Sequence, residues 1–351
     1  MNLSKLKGNE QLAKTVFDDN GRILLCVGTS LRGKYIKILQ GHGIESVYIE
    51  DEISKGIVVE EFLDESTKIE SKNAIKDTFE KFYKKEERQL DKVLNTANKI
   101  IDDIISQSDI AVNIMDLKAK DEKIFGHSVN VCALSVLAGI KMGYNMLRLK
   151  DIATGALLHD IGKLLIPKEI LDKKSELTPE EDDILKEHSK KGYDLISNHC
   201  NISSFSKVIV LEHHEKCDGS GYPKGLKKDE IHEYARLVAI ANDFETMISK
   251  DSNSKKMFAY EAVEYLVGMG QSLYDGDIVN EFIKNISVYP NGSGVILNNG
   301  QKGIIKRQNN GLPTRPVVRV IFDESGKRLT SLKEINLLKE TTIFITGGTD
   351  I

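Results

Sequence analysis

Histidine placement constrains this chain more than any other feature. Apart from His42, every histidine falls between His127 and His232, inside a stretch of about 115–287 that reads as predominantly helical. Two pairs stand out, His159-Asp160 in HDIGK and His213-His214 in HHEKCDGSGYP. The helix DIATGALLHDIGK ends around the first pair and SKVIVLEHH ends at the second, each with glycine close behind. Consecutive side chains on a regular helix diverge by about 100°, so adjacent ligands converge poorly in mid-helix. At a helix end the backbone can turn, and glycine eases the turn. His127 opens the helix HSVNVCALSVL, and His188 lies on LKEHSKKGYDLI. A lone buried histidine is usually a satisfied core residue, but repeated pairs at helix ends point to a crowded, multi-metal site. Imidazole and carboxylate without thiolate suit Fe, Mn, Zn or Ni better than Mg or a zinc-thiolate site. Two ions about 3.5–4 Å apart suit phosphodiester hydrolysis, and a carboxylate in such a pair can bridge them. His199 and His232 lack this context, and His42 reads as a helix C-cap.

The flanking segments differ in character. Residues 1–60 read as a small α+β module, with a hairpin from LAKTVF to ILLCV, the helix KYIKILQGHGI and the strand SVYIED. Residues 61–114 read as a charged helical connector, in which Ile75, Phe79, Phe82, Leu90, Val93, Ala97, Ile100 and Ile104 recur at three- and four-residue steps. Glu86 is a polar interruption of that stripe, and one long amphipathic helix, broken at most once, is the plain expectation. A dimerising coiled coil, and with it a homodimer, is the sharper one. After Tyr289-Pro290 the pattern returns to β: GVILNNGQKGIIKR is a hairpin, and PVVRVIF and TTIFIT are strands of a small domain at 288–351. The fold class is therefore α+β multidomain, with a central all-α domain between two small strand-bearing modules.

Composition excludes several classes. With 351 residues, 40% hydrophobic and 29% charged, the chain can build sizeable cores. Net charge is −4 with no basic block, which argues against nucleic-acid or anionic-membrane partners. The start has no apolar signal-peptide core, and VNVCALSVLAGI at 129–140 is too short to span a bilayer. Cys26, Cys132, Cys200 and Cys217 form no CxxC pair, so a cytoplasmic protein with free thiols is expected.

HDIGK and HHEKCDGSGYP together resemble the signature of the HD-GYP domain, a branch of the HD phosphohydrolases. The resemblance covers about 115–287 and implies an HD-type helical bundle with a binuclear or trinuclear centre, usually iron or manganese. It implies hydrolysis of cyclic di-GMP to pGpG or GMP by a metal-bridging hydroxide. Carried over by position, His127, His159 and Asp160 match one metal site, and Asp160 is also the bridge to a second ion held by His188, His213 and His214. Lys163 would stabilise charge on the phosphate. In the Gly-Tyr-Pro loop, Asp218, Gly219 and Gly221 allow a tight turn. With Tyr222 and Pro223 it would fix the geometry behind the ligands, and similar loops are thought to meet GGDEF-domain cyclases.

Three positions depart from that pattern. The last metal carboxylate usually sits in a helix like ADVFDAL; here ANDFETM puts Asn242 in its place with Asp243 beside it. Members with a third metal carry Glu four residues before the first histidine, where this chain has Lys123, so two divalent ions are expected. An Arg-Pro-Tyr stretch is replaced by KDSNSKKMF, in which Lys255 or Lys256 is left to contact phosphate. A cyclic di-GMP phosphodiesterase is the leading reading. The alternatives are an HD-GYP module that binds a dinucleotide or partner without turnover, and a hydrolase of another cyclic dinucleotide.

Overall fold

The computed structural model describes all residues except 1, 2, 7, 19, 20, 45, 46, 59–62, 85–89, 107–111, 114–122, 174, 250–256, 285, 310, 311, 350 and 351, and describes 112, 113, 123 and 332 by their backbone alone. The chain forms two compact units: Met1–Glu60 joined with Tyr289–Ile351, and Glu61–Val288.

The N-terminal segment runs β1 (Gln11–Leu12), β2 (Val16–Phe17), β3 (Ile23–Leu25), α1 (Gly33–Gly41) and β4 (Ile49–Glu50). β2 and β3 make the anticipated hairpin, and β1 pairs with β4. His42 caps α1, its N–H donating to the Ile38 carbonyl at 3.1 Å. Leu3, Leu12, Leu25, Leu31, Leu39 and Val47 fill a small core.

The central unit is helical. It comprises α2 (Glu65–Lys84), α3 (Asp91–Ser106), β5 (Val112–Asn113), α4 (Lys123–Lys141), α5 (Met146–Leu158), α6 (Lys168–Leu171), α7 (Pro179–Lys186), α8 (His188–Ile196), α9 (Ser204–Glu212), α10 (Glu233–Ser249), α11 (Ala259–Met269), α12 (Gly276–Ile283) and β6 (Ile286–Ser287). The helical stretch over 66–108 is broken once, into two helices that fold back on each other and are joined by the ion pairs Lys92–Asp77 and Lys99–Glu70. Their apolar stripes are the reason. Ile75, Phe79 and Val93, Ala97, Ile100 are buried, and folding back closes both faces on α4 and α5.

Helix α4 is apolar nearly all round because it is buried nearly all round, with Val129, Val131, Cys132, Ala133 and Val136 fully covered. Its stretch Ile124–Lys141 is long and apolar enough to cross a membrane by composition, and that surface is spent on the core of this unit. The helix begins at Lys123, so His127 stands one turn in rather than at the start. LKEHSKKGYDLI is likewise two helices: α7 stops at Lys186, and His188 opens α8. All four cysteines are free thiols.

The C-terminal segment is a five-stranded antiparallel sheet of β7 (Gly294–Leu297), β8 (Lys302–Arg307), β9 (Val317–Phe322), β10 (Arg328–Asn336) and β11 (Ile345–Gly348), in the order β10-β9-β8-β7-β11. The β7–β8 hairpin turns at Gly300, whose φ of +86° suits glycine. Val295, Leu297, Ile305, Val318, Val320, Ile335 and Leu337 form its core. From β9, the buried Arg319 donates through Nη1 to the carbonyls of Ile53 and Lys55 at 2.7 and 2.8 Å, tying the sheet to the N-terminal segment.

Candidate metal centre

Two glycine contacts bring the histidine-bearing helix ends together. A Cβ on Gly155 would lie 2.6 Å from Ile209 Cδ1, so α5 and α9 approach closely four residues before His159 and His213 respectively. Those two rings then meet with centroids 4.9 Å apart. Gly162 packs still closer: a Cβ there would lie 1.9 Å from the His188 carbonyl oxygen and 2.5 Å from Gly192 N. The glycine of HDIGK thus seats the 3-10 turn Ile161–Leu165 directly on the first turn of α8.

The side chains fall into two clusters, His127 with His159 and Asp160, and His188 with His213 and His214. Within each, the ligand atoms lie within 4.8 Å of one another. Asp160, fully buried, stands between them. Its Oδ2 is 3.4 Å from His159 Nε2 and 3.8 Å from His127 Nε2, while its Oδ1 is 3.5 Å from His188 Nε2. Lys163 Nζ donates to Oδ2 at 2.7 Å. Burial alone would raise the pKa of Asp160. Its interactions with His159 and with the Lys163 ammonium outweigh it and hold the carboxyl well below the usual range.

The donor chemistry fits a pair of divalent cations. His159, His188 and His213 donate from Nδ1 to the carbonyls of Ala156, Leu185 and Val210, at 2.7, 2.7 and 2.9 Å. That assigns the proton to Nδ1 and leaves a lone pair on Nε2. Burial pushes His188 down to about 4, and burial with neighbouring imidazoles lowers His213 and His214 well below their ordinary value. Yet Nε2 of His188 faces Nε2 of His213 at 3.2 Å, and Nε2 of His159 faces that of His127 at the same distance. The opposed lone pairs of His188 and His213 make no hydrogen bond, and a shared cation would satisfy both. Asp160 Oδ1, buried without a hydrogen-bond partner, is a further acceptor.

Helix α10 contributes three polar residues with different duties. Asn242 Oδ1 lies 2.9 Å from His127 Nε2, so the amide joins the first cluster. Asp243 points elsewhere: its carboxylate accepts from Lys216 and, at 2.7 Å, from the Tyr274 hydroxyl. Glu245, which sequence reasoning did not single out, meets His127 Nδ1 at 2.5 Å and is itself fixed by Asn130 and Ser249 at 3.0 and 2.9 Å. Burial lowers the pKa of His127, but Glu245 and then Asp160 outweigh it and the net direction is up. Glu245 stands three residues beyond Asn242 on α10, and residues three apart share a helix face.

The Gly-Tyr-Pro loop does not enter the ligand cluster; it packs behind it. Tyr222 stacks on His214 at 4.6 Å with 21° between planes, and its N–H donates to the His214 carbonyl at 3.2 Å. Gly221 has no room for a Cβ, which would lie 2.3 Å from Lys216 N and 2.5 Å from the His214 carbonyl oxygen. Asp218 caps its own turn by accepting from Ser220, and the peptide before Pro223 is cis. Glu215, also missed, is buried and accepts from Lys224 N and Leu226 N at 2.8 and 2.9 Å, stapling the loop shut. His199 lies half-buried against Phe82, and His232 sits among Phe205 and Tyr234, both outside the centre. The side chain of Lys123 and all of Lys255 and Lys256 lie outside the described residues.

Residues 111–278 match the family model of an HD domain. The chain carries an HD domain of the HD-GYP type. Residues 294–350, after the HD-GYP domain, match the model of a KOW domain associated with HD domain. Among curated proteins, the chain is 28% identical over 235 residues to cyclic di-GMP phosphodiesterase PA4108 of Pseudomonas aeruginosa, covering 66% of this chain and 56% of that protein. It is 36% identical over 166 residues to a cyclic di-GMP phosphodiesterase of Thermotoga maritima, covering 47% and 45%. The chain thus spans about half the length of the curated relatives it matches. A solved structure, Bd1817, titled a HDG"Y"P protein from Bdellovibrio bacteriovorus, aligns with TM-score 0.53 and 20% identity over 80% of this chain and 97% of that one. At that identity the likeness is one of fold.

Proposed function

We propose that the chain is a metal-dependent phosphodiesterase that hydrolyses cyclic di-GMP to pGpG, GMP or both. The observation that carries the reading is the division of Asp160, one carboxylate oxygen toward His127 and His159 and the other toward His188. A carboxylate so divided could serve two ions acting on one phosphodiester. Bound divalent ions, Fe or Mn on this donor set, would supply Lewis-acid charge and a water acidified toward neutral pH. The chain's own part is to hold that centre rigidly. The Nδ1–carbonyl bonds fix three imidazole planes, and Tyr222 backs His214. Lys163, one-quarter exposed beside Asp160, would offset charge developing on the phosphate. The cyclic di-GMP phosphodiesterases named above support the substrate. We extend the same reading to a cytoplasmic location, a GGDEF-domain cyclase partner and a homodimer, each resting on family resemblance or sequence pattern.

A binding module without turnover is the second reading, and Asn242 favours it because an amide brings no charge to its ion. One experiment separates the two. The protein is purified anaerobically, its metals are counted, and cyclic di-GMP turnover is assayed in Fe(II) and in Mn(II), beside His159→Ala with Asp160→Ala. About two metals per chain with turnover lost in the double variant supports the hydrolase. Full occupancy with tight dinucleotide binding and no product refutes it in favour of the binding module. Faster cleavage of a different cyclic dinucleotide moves the substrate and keeps the chemistry.

A further inference from the structure

We propose that the His127/His159 half of the centre is the weaker metal site and that Glu245 is the positioning residue that sustains it, so that the two ions load in order. The inference rests on the metal-centre reading above.

The two halves differ in what they offer a cation. The second half presents three imidazoles, His188, His213 and His214, with Asp160 Oδ1 free of any hydrogen bond. The first presents two imidazoles, the neutral amide of Asn242, and Asp160 Oδ2, which Lys163 already holds at 2.7 Å. One fewer imidazole, an uncharged oxygen and a competing ammonium all act in the same direction. Affinity for a divalent ion falls on that side.

Glu245 acts against the deficit. The Nδ1 atoms of His159, His188 and His213 each meet a backbone carbonyl, whereas that of His127 meets a carboxylate. A carboxylate behind a ligating imidazole fixes its tautomer and ring plane and raises the basicity of its lone pair. Glu245 is 3% exposed, and its other oxygen is pinned by Asn130 and Ser249, so it is oriented before any ion arrives. It stands three residues beyond Asn242 on one face of α10. The charge that the amide lacks reaches the ion through His127 instead.

The test uses the full chain stripped by chelation, with Mn2+ alone as the probe in calorimetry. Wild type should bind in two resolvable steps. Glu245→Gln should weaken the weaker step about 10- to 100-fold, the usual effect of losing such a partner, and leave the tighter step unchanged. Asn242→Asp should tighten that same weaker step and restore it in the Glu245→Gln background. A melting curve of each stripped variant separates loss of the site from loss of the fold, and Asn242→Asp tests the same half without touching Glu245. Two equal steps in wild type, or Glu245→Gln shifting both steps alike or neither, overturns the proposal. A wild-type chain that takes up no Mn2+ overturns the metal centre itself, a result distinct from any of these.

Discussion

Substituting Gly162 by alanine adds one methyl group at the place where two halves of the centre touch. The new Cβ would lie 1.9 Å from the His188 carbonyl oxygen, 2.5 Å from Gly192 N and 2.8 Å from the His188 carbonyl carbon. All three are backbone atoms, so no side chain can rotate away. Relief requires the HDIGK turn and α8 to part by ~1 Å, which adds directly to the 3.5 Å between Asp160 Oδ1 and His188 Nε2. Overpacking of this kind costs ~1–3 kcal/mol of stability. A misplacement of ~1 Å at reacting groups costs about 100-fold in rate, or about 2.7 kcal/mol of barrier. Gly192→Ala is the matched control. Its Cβ would meet Val210 Cγ1 at 3.0 Å and Gly162 N at 3.1 Å, contacts that a rotated valine and a few tenths of an ångström relieve. Chelated melting curves, Mn2+ uptake and cyclic di-GMP turnover of the two variants are the assay. Gly162→Ala should lose stability and turnover together, and Gly192→Ala far less of each. Wild-type melting and metal uptake in Gly162→Ala, or the larger loss in Gly192→Ala, refutes the argument.

Two further outcomes follow from buried polar groups. Arg319→Met removes the fork that serves the Ile53 and Lys55 carbonyls, and should destabilise the terminal unit by about 2–3 kcal/mol in chemical denaturation; an unchanged midpoint would mean those carbonyls find water instead. In chelated protein, His188 stays neutral to about pH 4, and His213 and His214 are lowered the same way, whereas unfolded imidazoles titrate near ~6.5. Below ~6.5 the unfolded chain therefore binds protons that the fold refuses, so melting temperature should hold above that pH and fall as pH drops toward about 4. His127, raised by Glu245, opposes this as one group against three, and a melting temperature flat across that window would contradict the assignment.

What could be read from the sequence follows from where the chemistry is local. HDIGK and HHEKCDGSGYP each pack candidate ligand, helix end and glycine into a few consecutive residues, and the structure gathers those candidates with His127 and His188 into two clusters joined by Asp160. The helical hairpin α2–α3 was less legible because its stripe of apolar residues continues across the break, and periodicity alone does not say where a chain folds back. Strand β10, RLTSLKEIN, went unseen because charged residues recur along it and little of it is buried. Glu245, Gly155 and Gly162 owe their roles to partners more than twenty residues away, at His127, Ile209 and His188, and single-sequence spacing carries no information about such pairs.

Asn242 and Asp243 illustrate how long-range contacts decide what neighbours in sequence leave open. An acid beside the position where an acid is missing suggests that a small helix rotation could substitute one for the other. Consecutive residues are about 100° apart on a helix, so bringing Asp243 to His127 means turning α10 by that angle. The turn would strip Asp243 from Lys216 and from the Tyr274 hydroxyl, which hold it now while the Lys216 ammonium also lies 4.7 Å over the Tyr274 ring. It would also carry Glu245 off His127 and away from Asn130 and Ser249. Each loss leaves a carboxylate or its partner at least partly buried without its hydrogen bond, at about 1–3 kcal/mol apiece. These contacts hold the helix in the register that presents Asn242, and not Asp243, to His127.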